Sequence, residues 1–170
     1  MIQITRPFFA AWAVISTVLF VASPAGAQVA PSAERARMTA VRMTEGETIT
    51  LDGELNEPVW QRAVPASDFI QQIPQTGSPA TERTEVRIAY DRTTFYMGVT
   101  CFDSEPDRML RYQMRRDQFL SADDRFMWVI DPFLTGQGGY HFETNPSGLM
   151  GEGLLGPAGY NRDWDGIWTE

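Results

Sequence analysis

The chain has 170 residues and a formal net charge of −8, with 22 acidic side chains against 14 basic ones, every one of which is arginine. This length accommodates one domain and a targeting segment, and an acidic chain without a long basic run predicts no nucleic-acid partner. The lone cysteine, Cys101, excludes an internal disulfide, and the lone histidine, His141, excludes any site that needs two imidazoles. Cys101 lies in an apolar run, which predicts a buried side chain.

The N-terminal segment is typical of a secretory signal peptide. Arg6 precedes an apolar run from Phe8 to Phe20, and small residues at 25–27 form a cleavage site. The run is shorter than the roughly 20 apolar residues of a membrane anchor, which is the alternative interpretation. We therefore expect residues 1–27 to be a signal peptide that is removed on export, and residues 28–40, which lack apolar periodicity, to be a linker.

A strand and a short helix are predicted next. Ile49 and Leu51 alternate with threonines, a pattern that indicates a half-buried strand. Asn56 is a good N-cap for the helix that follows. Leu55 and Trp60 have the spacing of a hydrophobic staple, which predicts that Trp60 is a packing residue.

A β-hairpin is predicted over residues 84–102. Val86, Ile88 and Tyr90 alternate with polar or small residues, and after a short turn residues 95–102 are apolar at almost every position. The first pattern indicates a strand with one buried face. The second indicates a central strand that is covered on both faces.

The remaining strands complete the predicted fold. Residues 126–130 form a buried strand with Phe126, Trp128 and Ile130 on one face, and glycine-rich turns lead into further strands. Short strands at regular spacing with almost no helix predict an all-β domain over residues 41–170. We expect an antiparallel β-sandwich, jelly-roll or immunoglobulin-like, with one short helix.

The C-terminal stretch "NRDWDGIWTE" carries the candidate binding residues. In an extended segment Trp164, Gly166 and Trp168 project from one face, and the glycine would leave an open apolar floor between the two indoles. An aromatic plate with polar neighbours suits a sugar ring, which has apolar faces and an edge of hydroxyls. The polar neighbours are Asn161, Arg162, Asp163 and Asp165. Inward packing of both indoles into a core is the alternative.

The amino-acid sequence does not reveal a catalytic site or a clear metal site. Glycoside hydrolysis needs two carboxylates at a set separation across a cleft, and 22 acidic residues provide no recognisable pair. Asp123 and Asp124 are weak candidates for a calcium site, because the alternating acids of an EF-hand loop are absent. At these two aspartates, calcium binding and a solvated strand entry are the two alternatives, and no catalytic residue is assigned.

Four segments together resemble a known family. The segments "ITLDGELNEPVWQRA", "PATERTEVRIAYDRTTFYMGVTCFD", "DDRFMWVIDPF" and "DWDGIW" are similar in order and spacing to the family 9 carbohydrate-binding modules. The version that they resemble follows the signal peptide of large bacterial outer-envelope proteins. The resemblance covers residues 45–170.

The resemblance implies a β-sandwich that binds sugars between aromatic side chains, with bound calcium in some members. By position, Trp164 is the first choice for a sugar-stacking residue and Trp168 the second, with Asn161 and Asp163 as polar partners. Arg87 corresponds to a strand on which the family places a hydroxyl-binding arginine. The family continues beyond this point with another strand pair, so we expect a longer natural chain, whose downstream part is a partner of this domain.

We therefore expect an exported, non-catalytic carbohydrate-binding module in the periplasm or at the outer-membrane surface. It would bind a poly- or oligosaccharide and would be associated with hydrolysis of O-glycosyl bonds elsewhere in its protein. Two alternatives remain open. One is a structural cap that docks on the rest of an outer-membrane protein through its aromatic residues. The other is an electron-transfer domain that holds b-type haem through His141 and Met127.

Overall fold

A computed structural model describes residues 36–170, and the predicted signal peptide and most of the linker lie outside these residues. The predicted fold class is confirmed: the described part is all-β, with two sheets and one short helix. The strands are β1 (Val41–Arg42), β2 (Thr84–Tyr90), β3 (Phe95–Cys101), β4 (Phe126–Ile130), β5 (Gly139–Thr144), β6 (Met150–Gly156) and β7 (Gly159–Asn161), and the helix is α1 (Pro58–Arg62). Within residues 36–170, no helix is long and apolar enough to cross a membrane.

The first sheet has the order β1-β2-β3 and contains the predicted hairpin. β2 and β3 are antiparallel, and β1 runs parallel to β2. The Asp91 carboxylate closes the hairpin turn by accepting hydrogen bonds from the N–H groups of Thr93 and Thr94, at 2.7 and 2.8 Å. The prediction that the second strand is central was wrong, because β3 lies at the edge of the sheet. Cys101, at its end, is exposed rather than buried.

Helix α1 covers one face of this sheet through Trp60. The Trp60 side chain is 4% exposed and belongs to a core cluster with Val59 and Ala89, against which Leu55 packs. The packing role predicted for Trp60 is therefore confirmed. A Cβ atom at Gly98 on β3 would come within 3.1 Å of Trp60 Cζ3, so this glycine makes room for the indole.

Two local predictions before α1 were wrong. The helix begins at Pro58 with Glu57 as its N-cap, whereas the Asn56 side chain donates to Glu54. The strand expected around residues 49–51 does not form. The N–H of Thr50 instead donates to the Glu57 carboxylate at 2.7 Å, so a side chain takes the place of a neighbouring strand.

The second sheet is an antiparallel meander with the order β4-β5-β6-β7. Trp128 on β4 lies opposite Phe142 on β5, which lies opposite Glu152 on β6. These residues therefore share one face of the sheet. β4 is an edge strand, and Met127 and Val129 on its other face are about half exposed, so it is less buried than predicted.

Three buried acidic residues are paired with arginine side chains. Glu85, Glu143 and Glu152 are buried on strands of the two sheets. Each carboxylate is paired with at least one guanidinium, from Arg83 and Arg87, from Arg125, and from Arg116, respectively. The planar guanidinium is always charged and weakly hydrated, so it is better suited than an ammonium group to half-buried ion pairs.

Candidate functional site

The C-terminal segment, residues 162–170, packs against the second sheet in the way its period-2 pattern predicts. Trp164, Gly166 and Trp168 are half-buried, whereas Asp163 and the other odd-numbered residues up to 169 are exposed. The segment is not hydrogen-bonded as a strand. Its position is therefore set by side-chain packing rather than by a backbone ladder.

Six aromatic rings form the surface under and within this segment. We call them the aromatic cluster: Phe126, Trp128, Tyr140, Phe142, Trp164 and Trp168. Phe142 is at its centre, with ring centroids 5.4 Å from Trp128, 6.1 Å from Trp164 and 5.4 Å from Trp168. Trp164 also lies 5.1 Å from Tyr140. Offset and edge-to-face pairs at these separations are favourable beyond their buried area, so they hold the indoles in defined positions.

Gly166 is covered by the ring of Trp164. A Cβ atom at Gly166 would lie 3.0 Å from Cη2 of Trp164 and 3.4 Å from Cε1 of Phe142. The open floor that we expected between the two indoles is therefore absent, because the Trp164 ring folds back over the glycine. The apolar surface that remains for a ligand between the indoles is the partly exposed part of the Trp164 ring.

Trp168 is held more as a core residue. Its ring meets Trp128 edge-on, with centroids 5.6 Å apart and an interplanar angle of 89°. Its Nε1 atom is buried and has no hydrogen-bond partner within the described residues. Trp168 thus fixes the end of the segment, whereas Trp164 packs against Tyr140 and Phe142 near its start.

The polar residues predicted around the indoles are exposed. Asn161, at the end of β7, accepts a hydrogen bond from the N–H of Asp163 at 3.0 Å, and Asp165 is exposed two residues further on. Arg162 instead points away from the segment: it donates to the carbonyl of Asp117 at 2.6 Å, and its guanidinium stacks 4.0 Å above the Phe119 ring.

Glu152 is a residue of this site that the sequence pattern did not reveal. Its side chain is fully buried on the face that carries the aromatic cluster, where it pairs with Arg116. The N–H of Gly166 donates to its Oε1 at 3.4 Å, whereas Oε2 has no partner within residues 36–170. A glutamate between glycines in a short strand looks like a solvent-facing residue. Only the strand register, which places Glu152 opposite Phe142, shows that it belongs to the face of the aromatic cluster.

Arg87 lies on the first sheet rather than with the indoles. It is paired with Glu85 at 2.7 Å and lines a cleft of about 430 Å³ together with Trp60, Arg62 and Thr100. No hydrogen bond or ion pair within residues 36–170 connects Arg87 to the C-terminal segment. Four of the five predicted sugar-binding residues lie in one short C-terminal stretch, and the fifth, Arg87, lies on the other sheet.

The two candidate calcium ligands are engaged by the polypeptide. The Asp123 carboxylate accepts hydrogen bonds from the Gln113 N–H at 2.9 Å and the Asn145 side chain at 2.8 Å, and Asp124 accepts one from the Leu110 N–H at 2.8 Å. The described residues contain no group of three or more metal-ligating side chains. Asp123 and Asp124 therefore organise a loop.

His141 lies on the face of β5 opposite the aromatic cluster. It is buried, with 7% of its surface exposed, and its Nδ1 is 3.1 Å from the Tyr160 hydroxyl. Burial lowers the pKa of His141 below its ordinary value, against the opposing effect of Glu143. Met127 lies opposite Glu143, so it is a diagonal neighbour of His141 on the same face. Side chains that emerge together from one face do not suit opposite axial positions of a haem.

The comparisons with known proteins give no relative from which a role could be transferred. No protein-family model, curated protein or solved structure matches this chain. The function is therefore argued from the arrangement described above: a half-exposed indole in a fixed orientation, with carboxylate and amide groups beside it.

Proposed function

We propose that the protein is a non-catalytic carbohydrate-binding module that holds a poly- or oligosaccharide against the outward face of Trp164. One observation carries the proposal. Trp164 packs against Tyr140 and Phe142 and yet remains partly exposed, in the same segment as the exposed side chains of Asn161 and Asp163.

The chemistry of a sugar matches these groups. A pyranose has apolar C–H faces and an edge of hydroxyls, so it stacks on an indole and forms hydrogen bonds with carboxylates and amides around it. A ring that already has its bound orientation loses little side-chain entropy when a ligand arrives. The packing of Trp164 against Tyr140 and Phe142 supplies this preorganisation.

The resemblance to family 9 carbohydrate-binding modules supports the same proposal. In that family a sugar-stacking tryptophan occurs late in the domain, at the position of Trp164. We extend the proposal accordingly to an exported protein of the periplasm or outer-membrane surface that is associated with hydrolysis of O-glycosyl bonds. Trp168 then supports the platform, and Arg87, on the other sheet, is outside the proposed contact.

Calorimetric titration with soluble glucans, xylans and their oligomers tests the proposal. Trp164→Ala is expected to remove at least about 2 kcal/mol of binding free energy, because a stacked aromatic residue carries a large share of a weak interaction. Trp164→Tyr should restore part of the affinity, since it keeps an aromatic face. Phe95→Ala, which removes an exposed ring from β3, is the matched control and should bind like the wild type.

Two results would contradict the proposal. One is a wild-type protein that binds none of these sugars at millimolar concentration. The other is a Trp164→Ala variant that binds a sugar as tightly as the Phe95→Ala control. If no sugar binds, the structural cap that docks on another part of its protein becomes the better account. Residues 108–116 are the segment that favours this alternative.

A further inference from the structure

An exposed apolar segment precedes the second sheet. Residues 109–114 run without a helix, turn or bend, and Tyr112 and Met114 are 69% and 77% exposed, with Leu110 also exposed. Gln113 between them is half-buried. Three large apolar side chains at alternate positions thus face outward, which is unusual for the surface of a soluble domain.

The backbone of this segment is bound to the domain at some residues and open at others. The Leu110 N–H and the Gln113 N–H donate to Asp124 and Asp123, and the Gln113 carbonyl accepts from Asn145. At Tyr112 and Met114, by contrast, neither the N–H nor the carbonyl has a hydrogen-bond partner among residues 36–170. The open edge is limited to Tyr112 and Met114, because the N–H and the carbonyl of Leu110, the alternate residue before them, both pair with Asp124.

The segment is also positively charged, although the chain is acidic. Residues 108–116 contain four arginines and no acidic residue, in a chain of net charge −8. Arg108 pairs with Glu105, and Arg116 pairs with Glu152. Arg111 and Arg115 are exposed and form no ion pair within the part of the chain that the structure describes. Two guanidinium groups therefore remain available beside the open edge.

We propose that residues 108–116 bind an extended acidic segment of a partner protein, which adds as a strand along Tyr112 and Met114. Backbone hydrogen bonds to the open edge provide affinity in this mode of recognition, and alternate side chains provide specificity. The partner's apolar side chains pack on Leu110 and Tyr112, and its carboxylates pair with Arg111 and Arg115. The partner is a strand in which acidic and apolar residues alternate.

The open backbone favours a peptide over a lipid surface. Hydrocarbon offers no hydrogen-bond partners, so unpaired N–H and carbonyl groups are costly there. A peptide strand satisfies the same groups. The acidic remainder of the domain repels an acidic partner, so charge complementarity confines binding to this segment.

A blocked peptide of alternating glutamate and valine, labelled for fluorescence anisotropy, is the probe. The wild-type protein should bind it saturably, and binding should weaken as salt is added because the charges are at the surface. The same peptide with an N-methyl group on every residue has no N–H donor on either edge, so it cannot form the ladder and should not bind. A lysine–valine peptide should not bind either.

Matched variants identify the site. Arg111→Ser combined with Arg115→Ser should weaken binding about tenfold, as expected for charges that meet a complementary partner. Arg92→Ser, which removes an exposed arginine from the β2–β3 turn, should leave it unchanged. Sugar binding should be the same in all three proteins, which separates this proposal from the carbohydrate proposal.

Three outcomes would overturn the inference. The first is that the glutamate–valine peptide does not bind. The second is that the N-methylated peptide binds equally well. The third is that the protein with both Arg111→Ser and Arg115→Ser binds the peptide as tightly as Arg92→Ser does. Vesicles of phosphatidylglycerol are the further arm. If they bind the wild type and not the arginine variant, while the peptide fails, the segment recognises an anionic lipid surface instead.

Discussion

At the scale of single residues, Trp60 and Trp164 show how the same side chain serves two purposes. Trp60, on α1, is buried against β3, where Gly98 leaves room for its ring. Trp164 packs against Tyr140 and Phe142 and keeps part of its ring exposed. Removal of each ring should therefore change a different property of the protein.

Trp60→Ala should lower the free energy of unfolding by about 3–5 kcal/mol, because it leaves a cavity in the core of the first sheet. Urea unfolding monitored by circular dichroism measures this change. Phe95→Ala is the control and should cost less than about 1 kcal/mol, since that ring is exposed. Sugar affinity per folded molecule should not change. A Trp60→Ala protein that keeps its stability and loses sugar binding would show that Trp60, and not Trp164, is the binding residue.

His141 should make stability depend on pH in the range where carboxylates do not titrate. Burial lowers its pKa from the ordinary value of 6.5, so the unfolded chain binds a proton more readily than the folded one. Stability is therefore fully present above pH 6.5 and falls as the pH drops below it. The charged and titratable groups that act on the imidazole are Glu143, Arg125 and Arg162, and the Tyr160 hydroxyl lies 3.1 Å from its Nδ1.

Urea unfolding of wild type and His141→Gln at pH 8 and pH 5.5 checks this expectation. The wild type should lose more stability between the two values than the variant. Glu47 contributes at a different pH, because its hydrogen bond with Arg62 lowers the pKa of Glu47 to about 2. The stability that the ionised Glu47 contributes is therefore lost as the pH falls from the ordinary pKa of 4.5 towards 2. Equal loss of stability in the wild type and in His141→Gln between pH 8 and pH 5.5 would mean that the pKa of His141 is not lowered.

At the scale of elements, the C-terminal segment depends on Gly166. A side chain there meets the Trp164 ring and Phe142, so Gly166→Val should push the indole from its place. Overpacking of this kind costs about 1–3 kcal/mol. The variant should be less stable and should bind sugar more weakly, as measured by thermal unfolding and calorimetry. Gly156→Val is the control, because the position has open space around it and should tolerate the change.

The elements also show where prediction from sequence succeeds. The alternation in β4 and the C-terminal segment correctly predicted which residues share a face, because a period of two is a local property. The one-sided burial predicted for β2 was wrong, because Tyr90 is exposed and Ala89, on the other face, is buried in the core with Trp60. The place of a strand in its sheet is not local. The apolar run of β3 suggested a central strand, yet β3 lies at an edge with one face under α1. The burial of His141 and Glu152 likewise depends on neighbouring strands.

At the scale of the whole described domain, the distribution of residues between two sheets decides what the candidate site contains. Trp164, Trp168, Asn161 and Asp163 were predicted together because they are close in sequence. Arg87 was assigned to the same site by resemblance, and the topology places it on the three-stranded sheet. A sequence pattern does not determine which strands become neighbours, so a site formed by distant segments is beyond it.

Stacking of a sugar on Trp164 is the step on which the proposed function depends, and an NMR titration that follows the indole N–H signals of the tryptophans tests it directly. Trp164→Tyr assigns the Trp164 signal by its loss. With a soluble oligosaccharide at saturating concentration, we expect the Trp164 indole signal to shift, while that of Trp60, enclosed in the other sheet's core, stays in place. Saturation transferred from the aromatic protons should reach the sugar's C–H groups in the wild type and not in Trp164→Ala. An unchanged Trp164 signal across glucan and xylan oligomers, or a shift confined to Trp60, would contradict sugar stacking on Trp164.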